Sequence, residues 1–146
     1  MEWYYQGRVV KELDELPNWE FLEGFVYKIT NLETGKFYIG KKAIFHTTRK
    51  RISAREKKKT GTRSRIKVVT KESDWKKYWG SCKELIQDMR TYGPENFRRE
   101  ILETCCTKKY LSYAELSWQI KMDVLKNNSY NGNILGRFYH RDMENC

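Results

Sequence analysis

The stretch FVYKITNLETGKFYIG, residues 25–40, decides the fold of this chain. Polarity alternates over residues 25–30, which is the period of a β-strand with one buried face. Turn-forming residues follow at 31–35, and a second alternating segment returns over 36–40. The stretch therefore predicts a β-hairpin whose strands carry two aromatic tripeptides, Phe25-Val26-Tyr27 and Tyr38-Ile39-Gly40.

The composition is that of one folded domain. The chain has 146 residues, of which 39% are hydrophobic and 14% aromatic, too apolar for a disordered segment. It contains no apolar run long enough to span a membrane and no export signal, so we expect a cytoplasmic protein. Its four cysteines form no C-x-x-C pair, and we interpret them as reduced thiols rather than zinc ligands: Cys82, Cys105, Cys106 and Cys146.

The positive charge is concentrated in one segment. The net charge is +10, yet residues 41–77 alone hold 15 Lys/Arg and 3 Asp/Glu, a local net of +12. The rest of the chain holds 14 basic and 16 acidic residues, a net of −2. Such a concentration predicts contact with a polyanion; the alternative is a solvated basic loop.

Elements on both sides of the hairpin complete the prediction. Residues 1–23 are interpreted as a lead-in, 46–72 as a basic loop, and 135–146 as a polar tail. A capping-box pattern at Ser81 starts one helix, which Gly93-Pro94 ends, and a third strand follows from residue 97. The longest helix covers residues 110–126, with two apolar stripes that predict burial on both sides and with Glu115 inside one stripe. The fold class is α/β in the α+β sense, a small antiparallel three-stranded sheet flanked by helices.

At this point the residues resemble a known family. The two tripeptides stand where the GIY-YIG endonucleases carry the two halves of their signature. The junction at residues 92–97, Glu115 on the following helix and Tyr130-Asn131 correspond to further features of that family. The resemblance covers residues 24–134 and is strongest to small phage-encoded nucleases, because of Ser73-Asp74-Trp75 and the aromatic and glycine residues at 78–81, and to homing endonuclease catalytic domains.

The resemblance implies roles for particular side chains. Tyr27 would be the general base or would orient the attacking water; the alternative is a core aromatic residue. Tyr38 would hold the water or the phosphate; the alternative is an ordinary exposed tyrosine of a strand. Glu115 would be the single protein ligand of a metal, because a buried unpaired carboxylate is costly and a cation offsets that cost. Mg²⁺ suits such a site, since it keeps several waters and often takes one or two carboxylates.

The remaining candidates lie in or near the basic segment. Arg49 is nearest to the position of the essential arginine of the family and would stabilise the phosphoryl oxyanion, with Arg51 next. His46 would shuttle a proton or contact a phosphate. Residues expected to touch DNA are Lys41, Lys42, Arg51, Arg55, Lys57, Lys58, Arg63, Arg65 and Asn131; for Asn131 a plain turn residue is the alternative. A histidine that some family members carry before the second helix is replaced here by residues 78–80.

The resemblance implies a DNA endonuclease that uses Mg²⁺, with Mn²⁺ as a substitute. The expected partner is double-stranded DNA, bound by a monomer or a transient dimer in a bacterial host cell, without a membrane. Two alternatives stay open: a non-catalytic nucleic-acid-binding module and a basic protein–protein adaptor. They differ from the enzyme in what Glu115 does.

Overall fold

The computed structural model describes residues 2–145, so Met1 of the predicted lead-in and Cys146 of the tail lie outside the described residues. Residues 2–145 form nine strands and three α-helices, joined by short 3₁₀ turns. The strands are β1 (Trp3–Tyr5), β2 (Arg8–Val10), β3 (Gly24–Asn31), β4 (Phe37–Ala43), β5 (Phe45–Arg51), β6 (Ile66–Glu72), β7 (Phe97–Cys105), β8 (Asn133–Ile134) and β9 (Phe138–Tyr139). The helices are α1 (Ala54–Thr60), α2 (Lys83–Tyr92) and α3 (Lys108–Lys121).

The main sheet has five strands in the order β2-β1-β7-β3-β4, so the α+β class is confirmed while the predicted strand number was too low. The two additional strands come from the lead-in, where β1 pairs parallel with β7. Trp3 explains the addition, because it is 1% exposed and packs edge-on against Phe25 with ring centroids 5.0 Å apart. Aromatic burial of this kind holds a short strand that the turn signals alone did not predict.

The predicted hairpin forms, with β3 and β4 antiparallel and Tyr27 opposite Gly40. Its two faces meet different parts of the core. One face carries Phe25, Tyr27 and Ile29 into a cluster with Trp75 and Leu85. The other face carries Val26, Phe37 and Ile39 toward Leu111 and Ala114 of α3. Because β4 is an edge strand, both faces are accessible at that edge.

Helix α3 is shorter and less buried than predicted. It begins after Thr107, whose side chain accepts a hydrogen bond from the Tyr110 N–H, and it ends at Lys121. Leu111 and Ala114 are buried, but Tyr113 and Ile120 are 64% and 60% exposed. The prediction of burial on both sides was therefore wrong, because the sheet offers α3 only one face to cover.

The basic segment is structured, not a loop as predicted. β5 and β6 form a two-stranded ribbon in register from Phe45↔Glu72 to Arg51↔Ile66, and α1 lies between them in the chain. The ribbon pairs with no strand of the main sheet. We call residues 45–72 the basic arm. Its β-branched residues favour strand, but polar side chains on both faces hid the alternation that a half-buried strand shows.

Candidate active site

Tyr27 lies beneath the surface at the centre of an aromatic group. It is 1% exposed, and its ring centroid lies 5.9 Å from Tyr78, 6.1 Å from Tyr38 and 5.6 Å from Trp3. Across the hairpin, a Cβ on Gly40 would stand 2.5 Å from the Tyr27 hydroxyl oxygen. The glycine of the second tripeptide therefore leaves the space into which this hydroxyl projects.

Burial controls the ionisation of Tyr27. Desolvation, followed by the neighbouring Tyr38 and Tyr78 hydroxyls, raises the pKa of Tyr27 far above its ordinary value. The side chain is thus a neutral phenol at physiological pH. A phenol can donate a hydrogen bond to a water or a phosphate oxygen, and it acts as a base only where nearby positive charge stabilises the phenolate.

Tyr38 and Glu115 line the same cleft at the edge of β4. The cleft has a volume of about 460 Å³, and Lys41, Ser112 and Asn133 also line it. Burial raises the pKa of Tyr38, while a hydrogen bond with Ser81 opposes that rise. Tyr38, on one face of the sheet, and Glu115, on helix α3 against the other face, thus contribute to one site.

Glu115 is half-buried on α3. Desolvation raises the pKa of its carboxyl, and the Lys41 ammonium and backbone N–H oppose that rise. The carboxylate makes no ion pair shorter than 4.0 Å within the described part of the chain. A partly desolvated carboxylate without a close cation binds an additional positive charge favourably.

The donor set fits Mg²⁺ with a single protein ligand. Between residues 2 and 145, no three His, Cys, Asp or Glu side chains gather as a complete metal cage. Glu115 would supply one carboxylate, and water and phosphate oxygens would supply the other ligands, as is usual for Mg²⁺ at phosphate sites.

Comparison with known families agrees with this geometry. Residues 3–141 match the family model described as "Putative endonuclease segE, GIY-YIG domain". The chain belongs to the GIY-YIG endonuclease family. No curated protein and no solved structure gives a significant match.

GIY-YIG membership implies a nuclease with DNA as its substrate. The match begins at residue 3, so it includes the two strands of the lead-in. No helix within residues 2–145 is long and apolar enough to cross a membrane. Cys82, Cys105 and Cys106 are free thiols, in line with the sequence, and burial raises the pKa of Cys105 to about 11.

Two lysines of β4 accompany the GIY-YIG tyrosines. The Lys41 Nζ donates to Ser112 Oγ at 2.8 Å and stands between the Glu115 cleft and a second hollow of about 690 Å³. The Lys42 Nζ lies 4.0 Å above the Tyr78 ring and 2.7 Å from Asp74 Oδ1. The Lys42 ammonium is therefore fixed against the aromatic group, and the Lys41 ammonium against α3 at the Glu115 cleft.

His46 lies beside the site but not in the Glu115 cleft. It is exposed and lines the second hollow together with Lys41 and Ser112. On the same strand, Thr47 and Thr48 line that hollow too. A phosphate contact fits this position better than a direct part in the tyrosine group.

Arg49 lies on β5 and is not among the residues that line the Glu115 cleft, so the predicted catalytic arginine does not join the tyrosines in this structure. Arg49 is exposed on β5, opposite Val68, and within the described residues its side chain forms no hydrogen bond or ion pair. It lies six residues beyond the end of β4, on the order of 20 Å along an extended strand. The basic arm also holds six of the nine predicted DNA contacts: Arg51, Arg55, Lys57, Lys58, Arg63 and Arg65.

Asn131 lies against β4 and also lines the Glu115 cleft, so its predicted contact with DNA stays a prediction. It is 4% exposed. The Ile39 N–H donates to its Oδ1 at 3.0 Å, and its Nδ2 donates to the Ile39 carbonyl at 2.8 Å. The amide therefore pairs with the outer edge of β4 like a short strand and holds Tyr38 and Gly40 in place.

Sequence reasoning missed Tyr78 and Ser81 as members of the site. Their segment crosses the tyrosine face because Trp75 is fully buried and Gly80 adopts a positive φ of 86°. Ser81 hydrogen-bonds Tyr38, and the N-cap of α2 is Cys82, so the predicted capping box does not form. The clustering of Tyr78, Gly80 and Ser81 was the available signal.

Proposed function

We propose that this chain is a divalent-metal-dependent endonuclease that hydrolyses phosphodiester bonds of double-stranded DNA. The observation that carries the proposal is the shared cleft of Glu115, Tyr38 and Lys41. Mg²⁺, or Mn²⁺ in its place, would bind Glu115 and supply Lewis-acid stabilisation of the developing phosphoryl charge.

The tyrosines orient the reacting groups. The Tyr38 hydroxyl is the more accessible of the two and is positioned to hold the attacking water or a phosphate oxygen. Tyr27 is a buried phenol whose proton stays in place in the free protein. Its hydroxyl is held by tight packing, which fixes a hydrogen-bond direction at little entropic cost during the reaction.

Lys41 provides positive charge at the mouth of the cleft. It favours the ionised form of Glu115, which is the form that binds a cation. The Ser112 hydroxyl accepts its hydrogen bond and restrains the long side chain. Lys41 is therefore placed to neutralise a phosphate next to the scissile bond, which is the role we assign to it.

The basic arm supplies the affinity for DNA. Residues 45–72 hold 11 Lys/Arg and 2 Asp/Glu. Such an arm binds the phosphate backbone, with an affinity that falls as salt rises. One active site cuts one strand, so a double-strand break requires two successive nicks or a transient dimer on DNA.

We place the enzyme in a phage-infected bacterial cytoplasm. Supporting this assignment is the resemblance of residues 73–81 to the phage group. The biological reaction would be homing, or cleavage of host or competitor DNA. The arm alone favours a second candidate, a non-catalytic DNA-binding module, because its charge lies outside the Glu115 cleft.

Plasmid cleavage by the Glu115→Gln variant tests the proposal. We expect Mg²⁺-dependent nicking by the wild type and a loss of about 10³-fold in the variant, with DNA binding retained. Glu33→Gln, an exposed substitution in the hairpin turn, is the matched control and should cleave normally. Wild-type binding without any nicking in Mg²⁺ or Mn²⁺ would favour the binding module instead.

A further inference from the structure

The two faces of the basic arm have different surroundings. Along β6, Lys67 and Val69 are half-buried, whereas Ile66, Val68 and Thr70 are exposed. The Lys67 Nζ lies 2.5 Å from Glu56 of α1. Helix α1 therefore contacts the face that carries Lys67, and the opposite face is open to solvent. We call that open face the outer face.

The outer face mixes arginine, threonine and aliphatic side chains. Strand alternation and the register place three cross-strand pairs on it: Thr47 with Thr70, Arg49 with Val68, and Arg51 with Ile66. Val68 and Ile66 are 63% and 55% exposed. Surfaces that only grip phosphates need cations and polar groups, and exposed aliphatic side chains add nothing to that contact.

These residue types match the base edges of DNA. Arginine makes paired hydrogen bonds to guanine O6 and N7, threonine bonds to several bases, and aliphatic groups contact the thymine methyl. A two-stranded ribbon has the width that the major groove admits. The charge of the arm favours a polyanionic partner such as DNA, because 11 basic residues stand against 2 acidic ones in residues 45–72.

The root of the arm is fastened to the candidate active site. Ile44, between β4 and β5, is fully buried, and its carbonyl accepts a hydrogen bond from the Ser73 N–H at 2.7 Å. The Ser73 hydroxyl donates to the Ala43 carbonyl at 2.6 Å. One end of the arm thus continues from the strand of Tyr38 and Lys41, and the other leads to Tyr78.

We propose that the outer face of the basic arm enters the DNA major groove and reads bases through Arg49, Arg51 and Val68. Because the root of the arm is held beside the candidate active site, the position of the arm on the DNA determines which phosphodiester bond reaches the Glu115 cleft. This inference deepens the proposed function and depends on DNA being the substrate. Arg49 is then a specificity residue, which accounts for its distance from the tyrosines.

Selection from a randomised duplex library, in EDTA, tests the inference without any cleavage. We expect the wild type to enrich a short motif and the Arg49→Ala/Arg51→Ala variant to lose about 10-fold or more of that preference. Arg55→Ala/Lys58→Ala removes the same charge from α1, and it should weaken binding to all sequences equally. Equal loss of preference in both double variants would overturn the proposal.

A neutral variant and chemical interference distinguish groove reading from charge. Val68→Ser should relax the preference at one position while overall affinity changes by less than about 3-fold. Methylation of guanine N7, in the major groove, should block binding at the enriched site, whereas methylation of adenine N3, in the minor groove, should not. Interference at adenine N3 alone would contradict the assignment.

Combining selection with plasmid cleavage separates the two proposals. Mg²⁺-dependent nicking with no enriched motif leaves the endonuclease and eliminates base reading by the arm. An enriched motif without nicking in Mg²⁺ or Mn²⁺ leaves the arm as a reader and eliminates the endonuclease.

Discussion

Tyr27 and Arg49 stand 22 positions apart in the chain, in regions built on opposite principles. Tyr27 is 1% exposed on a central strand of a five-stranded sheet and touches aromatic rings from three other segments. Arg49 is exposed on the two-stranded ribbon of β5 and β6. These two strands pair with each other and not with the main sheet. The first region fixes hydroxyl and carboxylate positions, whereas the second presents charge to a large ligand.

The difference shows how stability and function are divided. An isolated two-stranded ribbon is marginally stable, so the arm depends on its root and on α1 for order. The sheet has two hydrophobic clusters, and among the described residues the arm contributes to them only Phe45, at its root. Changes in the arm should therefore alter DNA binding with little effect on folding. Changes at the tyrosines should affect both function and folding.

Excision of the arm should give the largest effect. Phe45 and Glu72 are register partners, so a short Gly-containing turn can replace residues 46–71 without moving the root. We expect DNA affinity to fall by about 10³-fold at physiological salt, because several phosphate contacts disappear, and the salt dependence to become shallower. Binding is measured by fluorescence anisotropy across a salt series.

Folding is the control for the excision. Thermal unfolding should change by only a few degrees, since the main sheet keeps all its strands. Loss of a cooperative unfolding transition would show that the arm stabilises the sheet. The two regions would then not be independent in stability.

Gly40→Ala should reduce cleavage by about 100-fold. A methyl group there would stand 2.5 Å from the Tyr27 hydroxyl oxygen and 2.9 Å from the Tyr38 ring, so both rings must move. Initial rates of plasmid nicking measure the effect. Gln87→Ala, at an exposed position of α2, is the control. Equal nicking rates for the two variants would show that cleavage does not depend on the positions of the two tyrosine rings.

Asn131→Ala should destabilise the protein by about 2 kcal/mol, because the buried Ile39 N–H loses its acceptor and the Ile39 C=O keeps only the longer bond from Gln119 Nε2, at 3.4 Å. Urea unfolding measures this change. Asn128→Ala, at an exposed neighbour, should cost much less. A loss no larger than that of the control would mean that β4 does not need this clamp.

Glu115→Gln should stabilise the metal-free protein slightly, by about 1 kcal/mol or less at pH 7. Burial raises the pKa of Glu115, so its ionised form opposes folding once the pH exceeds the ordinary carboxyl pKa. The advantage of the variant should therefore vanish as pH falls toward 4. Melting temperatures in EDTA across pH measure it, and an advantage unchanged at low pH would contradict this account.

Added Mg²⁺ provides a second measurement that compares the wild type with Glu115→Gln. A cation bound at Glu115 stabilises only the folded wild type, so added Mg²⁺ should raise its melting temperature and leave Glu115→Gln unchanged. Equal shifts in both proteins would place the metal elsewhere.

Local sequence was sufficient for the central elements. The hairpin, the strand at 97–105 and the stop of α2 at Gly93-Pro94 follow from alternation and turn chemistry, and they form as predicted. The tripeptides and Glu115 were enough to indicate the family. Each of these signals acts within a few residues, which is why it can be recognised in one sequence.

Tertiary structure decided the rest. Only packing shows that Trp3 brings the lead-in into the sheet, that Tyr113 and Ile120 face solvent, and that Asn131 pairs with Ile39. The basic arm forms strands because β5 and β6, which are far apart in the chain, pair with each other. Neither segment shows a strand pattern on its own. The sequence by itself determined the hairpin and its chemistry; contacts between distant segments decided which side chains share a cleft, because hydrophobic burial has no direction until the partners meet.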